Sequence, residues 1–159
     1  MMLRSVLFAL FAGLAALVTA GPAQAQQWSL DPSYGSISLS SGFTPDPHEI
    51  ALQSGGSIDA SVSLGGSCRG FIANAPQFRL TYIARTWPLI LSVNSDADTT
   101  LIVNGPDGRW YCDDDSGSGL NPALRWDQPQ SGQYDIYVGT YQAASYHEAT
   151  LSISELTSY

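Results

Sequence analysis

The sequence predicts an all-β protein, an antiparallel and jelly-roll-like β-sandwich of nine or ten short strands. Two observations carry this prediction. Apolar residues recur at every second position along most of the chain, which is the period of a half-buried strand. Gly, Pro, Asn and Asp clusters interrupt the alternation at intervals of roughly ten residues, which is typical of sandwiches and jelly rolls.

The alternating segments follow one another along the chain from residue 37 onward. They lie near 37–39, 50–52, 58–64, 78–82, 89–93, 99–104, 109–112, 124–126, 134–138 and 149–153. Pro106, Asp107 and Gly108 form a strong turn signal, which predicts that 99–104 and 109–112 pair as a hairpin. Trp126 and Tyr134 fall on the apolar side of their segments, so we expect both in the core.

The first 25 residues predict a secretory signal peptide. One Arg precedes an uncharged apolar run over 6–18, and Ala23-Gln24-Ala25 is a small-x-small cleavage site. The run is shorter than the ~20 residues that span a bilayer, which disfavours a membrane anchor. We therefore expect cleavage after Ala25, a leader over 26–36 and one sandwich domain over 37–159. The mature protein would be periplasmic or secreted, with no membrane span.

The charge of the chain excludes one large class of partners. Without Arg4, five arginines stand against fourteen acids, a formal charge of −9, and the sequence contains no lysine. Nucleic-acid binding requires clustered Lys and Arg that displace counterions from phosphate. The acidic balance instead favours divalent cations or cationic partners, or serves solubility alone.

Cys68 and Cys112 are the two cysteines of the chain. A pair in an exported protein usually forms a disulfide, and closing so long a loop stabilises a fold by about 4 kcal/mol in the chain-entropy picture. Two free thiols are the alternative, but neither cysteine has a His neighbour or a Cys-x-x-Cys partner to activate it.

Six carboxylates are concentrated between residues 96 and 115, with Arg109 as their only counter-charge. They belong to Asp96, Asp98, Asp107, Asp113, Asp114 and Asp115. Residues two apart in an extended segment point the same way, so neighbouring pairs can converge. Calcium takes six to eight oxygen ligands, and this cluster predicts calcium as a possible cofactor. The alternative is a solvated loop whose Asp residues serve turns.

The other reactive residues form no recognisable catalytic set. His48 and His147 lie far apart, and neither sits in the sequence setting of a serine protease base. Trp110, Tyr137 and Tyr141 are predicted to face outward, where aromatic rings stack on sugars or grip a peptide. Cross-strand packing is the alternative for these three residues.

Four segments together resemble the bacterial pre-peptidase C-terminal domain. They read Asp-Thr-Thr-Leu-Ile-Val, Gly-Pro-Asp-Gly, Cys-Asp-Asp-Asp-Ser-Gly and Gly-Gln-Tyr-Asp-Ile-Tyr-Val-Gly, at 98–103, 105–108, 112–117 and 132–139. The match covers roughly 56–156. The resemblance implies a non-catalytic β-sandwich of the kind appended to secreted proteases, with related modules that hold calcium. Cys68 and Cys112 depart from the family pattern, and we expect a stand-alone secreted member.

The sequence therefore predicts an exported, non-catalytic module that binds or stabilises something outside the cytoplasm. An extracytoplasmic protein or a polysaccharide is the expected partner. A calcium-dependent structural or assembly protein is the first alternative, and a secreted hydrolase or peptidase-like enzyme is the second.

Overall fold

A computed structural model describes residues 26–159, and the predicted signal peptide lies outside this range. Two β-sheets pack face to face, so the predicted sandwich is confirmed. The seven-stranded sheet contains β1 (Ser36–Ser40), β3 (Ile58–Asp59), β4 (Phe71–Ile72), β5 (Phe78–Ile83), β7 (Thr99–Asn104), β8 (Trp110–Asp113) and β10 (Gly132–Thr140). The four-stranded sheet contains β2 (His48–Gly55), β6 (Leu89–Asn94), β9 (Ala123–Trp126) and β11 (Tyr146–Ser154).

The long strands β10 and β11 organise their sheets. β10 pairs with β5 through its first half and with β7 through its second half, and β11 lies between β2 and β6. The predicted hairpin is present, with β7 antiparallel to β8. All strand pairs are antiparallel except β1 with β5, which run parallel.

The main core lies between the two sheets. Leu80 and Ile136 project from the larger sheet and Leu91 and Leu151 from the smaller one, and all four are fully buried. Burying one such side chain contributes about 1.5–3 kcal/mol. Tyr134 belongs to this core as predicted, and Trp126 packs against it while half-buried.

A second, smaller cluster covers part of the opposite face of the larger sheet. It combines Ala60, Cys68, Ile72, Ile102 and Tyr137, all buried. The Cys68–Cys112 disulfide is present and closes over this cluster, with the two Cα atoms 5.0 Å apart. The segment between β3 and β4 therefore works as a lid that the disulfide fastens to β8.

Two predictions about the strands require correction. The segment predicted as a strand over 58–64 is a strand for two residues and then α1 (Ala60–Ser63). The Asp59 carboxylate accepts a hydrogen bond from the Ser61 amide at 2.9 Å and caps this turn, which the alternating apolar pattern conceals. Residues 26–159 contain eleven strands rather than nine or ten, because the two-residue strand β4, which pairs with β3, adds one.

No helix within residues 26–159 is long and apolar enough to cross a membrane. The jelly-roll-like topology stays a prediction.

Candidate functional site

The described chain has an open groove of about 570 Å³, called here the tryptophan groove. Its walls come from the leader, the β7–β8 turn and the start of β10. The lining residues are Trp28, Asn104, Gly105, Pro106, Gly108, Trp110, Ser131, Gly132, Gln133 and Asp135.

The leader supplies Trp28, which is half exposed. The Arg79 guanidinium donates hydrogen bonds to the carbonyls of Trp28 at 2.6 Å and Leu30 at 2.9 Å. The Tyr34 amide donates to the Gln77 carbonyl at 2.7 Å. These bonds fix the leader along β5, so Trp28 projects from an anchored backbone.

Arg79 also neutralises the carboxylate of the groove. Its Nε lies 2.6 Å from Asp135 Oδ1, and Asp135 is 2% exposed. The side-chain Nε2 of Gln133 donates a hydrogen bond to the other carboxylate oxygen of Asp135 at 2.7 Å. A buried carboxylate is tolerated only when it is paired and hydrogen-bonded, and Asp135 satisfies both conditions.

The β7–β8 turn supplies the opposite side. The Gly105 amide donates to the Arg109 carbonyl at 2.9 Å, and the Asp107 carboxylate accepts from the Arg109 amide at 3.1 Å and the Tyr111 hydroxyl at 2.8 Å. Burial alone would raise the pKa of Asp107, but these bonds lower it below its usual value. Asp107 is thus a structural residue of the turn.

Trp110 stands on β8 between this turn and the disulfide. Its ring centroid lies 5.7 Å from that of Tyr137, and the two planes are tilted by 51°. Cys112, two residues further on, is bonded to Cys68. The Tyr137 ring and the nearby disulfide therefore hold the Trp110 side chain in place. Ligand binding then costs less side-chain conformational entropy at this residue.

Gly132 is required for the shape of the groove. Its φ is +144°, and a Cβ atom added there would lie 2.7 Å from the Pro106 Cβ. A larger residue would strain the backbone and push the β7–β8 turn away from β10.

The predicted exposure of the three aromatic residues is partly wrong. Tyr137 does point away from the main core, as the alternation requires, but the lid between β3 and β4 covers that face and leaves the residue fully buried. Burial and the nearby Asp135 carboxylate raise the pKa of its hydroxyl, which has no hydrogen-bond partner within residues 26–159. Trp110 is half-buried and lines the groove. Tyr141 is 48% exposed and lies outside the groove.

The six aspartates of the predicted calcium site separate into different roles. Asp107 holds the β7–β8 turn, and Asp113 accepts from Ser116 at 2.6 Å and from the Ala123 amide at 2.9 Å. Burial raises the pKa of the Asp98 carboxyl, and the negative charges of Asp115 and Asp114 raise it further.

Within residues 26–159, no three His, Cys, Asp or Glu side chains are grouped so that they would hold a metal ion. The geometry therefore gives no support to metal binding, and calcium stays a prediction from the sequence.

A second cavity of about 310 Å³, called here the acidic cavity, lies at the end of β10. Asp96, Asp98 and His147 are among its lining residues. Ser145 is another, and its Oγ lies 2.5 Å from His147 Nε2. Ser145 directly precedes β11 and His147 is the second residue of that strand, so the two side chains are close neighbours along the chain.

Sequence reasoning missed most of the groove. The sequence did not identify Trp28 or Gln133 as groove residues. Trp28 lies in the leader and Gln133 lies in β10, far from the leader in sequence. A Trp within a short polar leader was the available signal. Arg79 and Asp135, 56 residues apart, carried no signal until pairing of β5 with β10 brought them together.

Comparison with known proteins leaves the family open. No family model matches the chain, so the resemblance to the pre-peptidase C-terminal domain stays a prediction. An uncharacterized protein of Synechococcus elongatus is 36% identical over 89 residues, which is 54% of this chain and 63% of that protein. The match thus spans less than two thirds of that relative's length.

One solved structure is weakly similar to the chain. It is Aeromonas hydrophila PliG, a periplasmic inhibitor of g-type lysozyme, with 15% identity and a TM-score of 0.39 over 76% of this chain and 96% of that one. A TM-score this low has no bearing on the function of the present chain.

Proposed function

We propose that this protein is an exported, non-catalytic binding module that holds a neutral polysaccharide in the tryptophan groove. The observation that carries the proposal is a groove lined by two tryptophans whose neighbouring charges are paired within the protein.

The side chains of the groove match the chemistry of sugars. Sugar rings present apolar C–H faces that pack on tryptophan, and hydroxyls that bond to amides. Trp28 and Trp110 offer the first kind of contact, and Asn104 and Gln133 offer the second. At Gly108 no atom lies within 4 Å of the place a Cβ would take, so a flat polymer can approach the backbone there.

The charges of the groove favour a neutral ligand over a charged one. Arg79 pairs with Asp135 at 2.6 Å, and Arg109 lies 3.7 Å from Asp107 at the turn. Among residues 26–159, the groove therefore offers no unpaired charge that would offset the desolvation of an ionic ligand. The excess negative charge of the chain would repel an anionic polymer.

The carboxylate of the groove also supports a non-catalytic role. A glycosidase requires two carboxyl groups, one to protonate the leaving oxygen and the other to attack or to activate water. Of the described residues that line the groove, Asp135 alone has a titratable side chain, and Arg79 and Gln133 each donate a hydrogen bond to one of its oxygens. Export is supported by the predicted signal peptide together with the Cys68–Cys112 disulfide.

Co-sedimentation with insoluble polysaccharides tests this proposal. We expect the exported protein to pellet with cellulose or chitin, which are neutral, and to ignore gelled alginate, which is anionic. Failure to pellet with either neutral polymer would contradict the proposed ligand class. Preference for alginate would contradict the electrostatic argument.

Trp87 provides a matched control for the groove tryptophans. It is 52% exposed, against 50% for Trp28, and it does not line the groove. We expect Trp28→Ala and Trp110→Ala to abolish sedimentation and Trp87→Ala to preserve it. Equal losses in all three variants would mean that any exposed tryptophan suffices, and would refute the groove as the site.

A further inference from the structure

A smaller cavity adjoins the tryptophan groove at the β7–β8 turn. It is called here the side pocket, and its volume is about 90 Å³. Pro106 lines both cavities, so they share one wall. The Pro106 ring lies directly against Gly132, where an added Cβ atom would be 2.7 Å from the Pro106 Cβ, and this contact holds the shared wall in place. A ligand in the tryptophan groove is therefore separated from the side pocket by one proline ring.

The interior of the side pocket is aromatic. Tyr111, Trp126 and Tyr134 line it, one each from β8, β9 and β10. The Trp126 ring centroid lies 5.2 Å from that of Tyr111 and 5.5 Å from that of Tyr134, and both pairs meet edge to face. The Tyr111 hydroxyl donates to the Asp107 carboxylate at 2.8 Å. The Tyr134 hydroxyl donates to the Gln130 carbonyl at 2.8 Å. Because both hydroxyls are engaged, the rings present chiefly carbon to a ligand.

The side pocket also has polar residues that solvent reaches. Gln128 and Gln130 line it, and both residues are exposed. Each side-chain amide can donate and accept hydrogen bonds. The Asp107 carboxylate, which lines the pocket as well, accepts from the Arg109 amide at 3.1 Å and lies 3.7 Å from Arg109 Nε. The pocket therefore combines an apolar interior with neutral amides at its exposed side.

Size and polarity limit the group that the side pocket can hold. A volume of about 90 Å³ is that of roughly three water molecules in the liquid, which is too small for a sugar ring and sufficient for an acetyl group. A hydroxymethyl group would bury its hydroxyl against ring carbon and lose its hydrogen bonds to water. A methyl group gains free energy from the same burial. An acetamido group has such a methyl at its end, next to a carbonyl and an N–H.

We propose that the side pocket holds the acetyl group of a neutral polysaccharide built from acetamido sugars. The methyl group packs on the rings of Tyr111 and Trp126, and the amide N–H and carbonyl bond to Gln128 and Gln130. The sugar ring that bears the group lies in the tryptophan groove, so this inference rests on the proposed function. It narrows the ligand from neutral polysaccharides in general to those that carry N-acetyl groups.

Two neutral oligosaccharides of equal length test the inference by calorimetry. Chitotetraose carries an acetamido group on each ring, and cellotetraose carries a hydroxyl in its place. We expect chitotetraose to bind about tenfold more tightly, the joint contribution of one buried methyl group and one hydrogen bond. Equal affinity would overturn the inference and leave the proposed function standing. Binding of neither ligand would overturn both.

An analogue of chitotetraose with butanoyl in place of acetyl tests the size of the pocket. Its longer acyl chain exceeds the volume of the side pocket, so we expect it to bind no more tightly than cellotetraose. Binding as tight as that of chitotetraose would overturn the inference, because the acyl group would then lie outside the pocket.

Gln128→Ala with Gln130→Ala tests the polar contacts. The backbone carbonyl of Gln130 that holds Tyr134 remains in this variant. We expect the preference for chitotetraose to fall at least threefold, the value of one hydrogen bond, while the affinity for cellotetraose is unchanged. Gln53→Ala is the matched control, because Gln53 is exposed on β2 and lines neither cavity. An unchanged preference in the double variant, or the same loss in Gln53→Ala, would overturn the inference.

Discussion

The tryptophan groove and the acidic cavity use charge in opposite ways. In the groove, Asp135 is buried and satisfied by Arg79 and Gln133, so the walls are neutral and fixed. In the acidic cavity, one oxygen of Asp98 is buried without a hydrogen-bond partner in the described chain, and Asp114 and Asp115 lie close by. The comparison shows that the density of charge in a sequence does not reveal whether the charges are paired in the fold. The pairing of the charges, which only the fold provides, distinguishes the two regions.

The disulfide gives the largest expected effect, and it acts on the groove side. We expect Cys68→Ser with Cys112→Ser to lower the free energy of unfolding by about 4 kcal/mol, because the unfolded chain regains the entropy of a long loop. The lid and β8 then separate, and Trp110 loses its anchor. Chemical denaturation of both proteins measures the difference. A loss below about 1 kcal/mol would mean that the lid is held without the disulfide.

Arg79 supplies the next largest effect. We expect Arg79→Ala to cost about 3 kcal/mol, because the buried Asp135 loses its partner. The same change releases the carbonyls of Trp28 and Leu30 and should weaken polysaccharide binding.

Arg125→Ala is the matched control for Arg79→Ala. Arg125 pairs with Asp127 at 2.7 Å, but both side chains are more than half exposed. Exposed pairs contribute about 0–1 kcal/mol. Equal destabilisation of the two variants, measured by urea unfolding, would refute a special role for the Arg79–Asp135 pair.

Replacing Asp98 should stabilise the protein, whereas the replacements above should destabilise it. Its carboxyl pKa is raised, so the folded protein holds this proton more tightly than the unfolded chain does. The associated stability is present at acid pH and is lost as the pH rises through the raised pKa. We therefore expect Asp98→Asn to stabilise the protein at neutral pH, by less than about 1 kcal/mol. This gain should disappear as the pH falls below the ordinary value of 3.8. Thermal melts at several pH values test it, and a destabilised Asp98→Asn protein at neutral pH would contradict the expectation.

Calcium should have the smallest effect. Asp107 and Asp113 already accept hydrogen bonds from their own loops, so we expect millimolar calcium to leave the melting temperature unchanged. A rise that disappears in Asp113→Ala with Asp115→Ala would instead support the calcium site predicted from the sequence and place the ion on this loop.

Local pattern in the sequence was sufficient for the fold class. The period of two identified the long strands, and Pro106-Asp107-Gly108 identified the β7–β8 hairpin, because both signals act over a few residues. Asp59 interrupted one predicted strand with a helical turn, which hydrophobic alternation cannot reveal.

The groove required information that the sequence holds only across long distances. Tyr137 was assigned to the correct face, but the lid that buries it comes from a segment more than sixty residues earlier. Trp28 and Asp135 share a groove because Arg79 binds both the leader and β10. Such contacts depend on which strands pair, and spacing alone does not determine the pairing.

Titration with a soluble neutral oligosaccharide tests the central claim most directly. Calorimetry compares the wild-type protein with Trp28→Ala and Trp87→Ala, cello- and chito-oligosaccharides serving as probes. We predict saturable binding by the wild type and by Trp87→Ala, and a loss on the order of tenfold or more in Trp28→Ala, as expected for a central aromatic contact. Undiminished affinity in Trp28→Ala, or heat of binding from neither oligosaccharide, would contradict a polysaccharide site in the tryptophan groove.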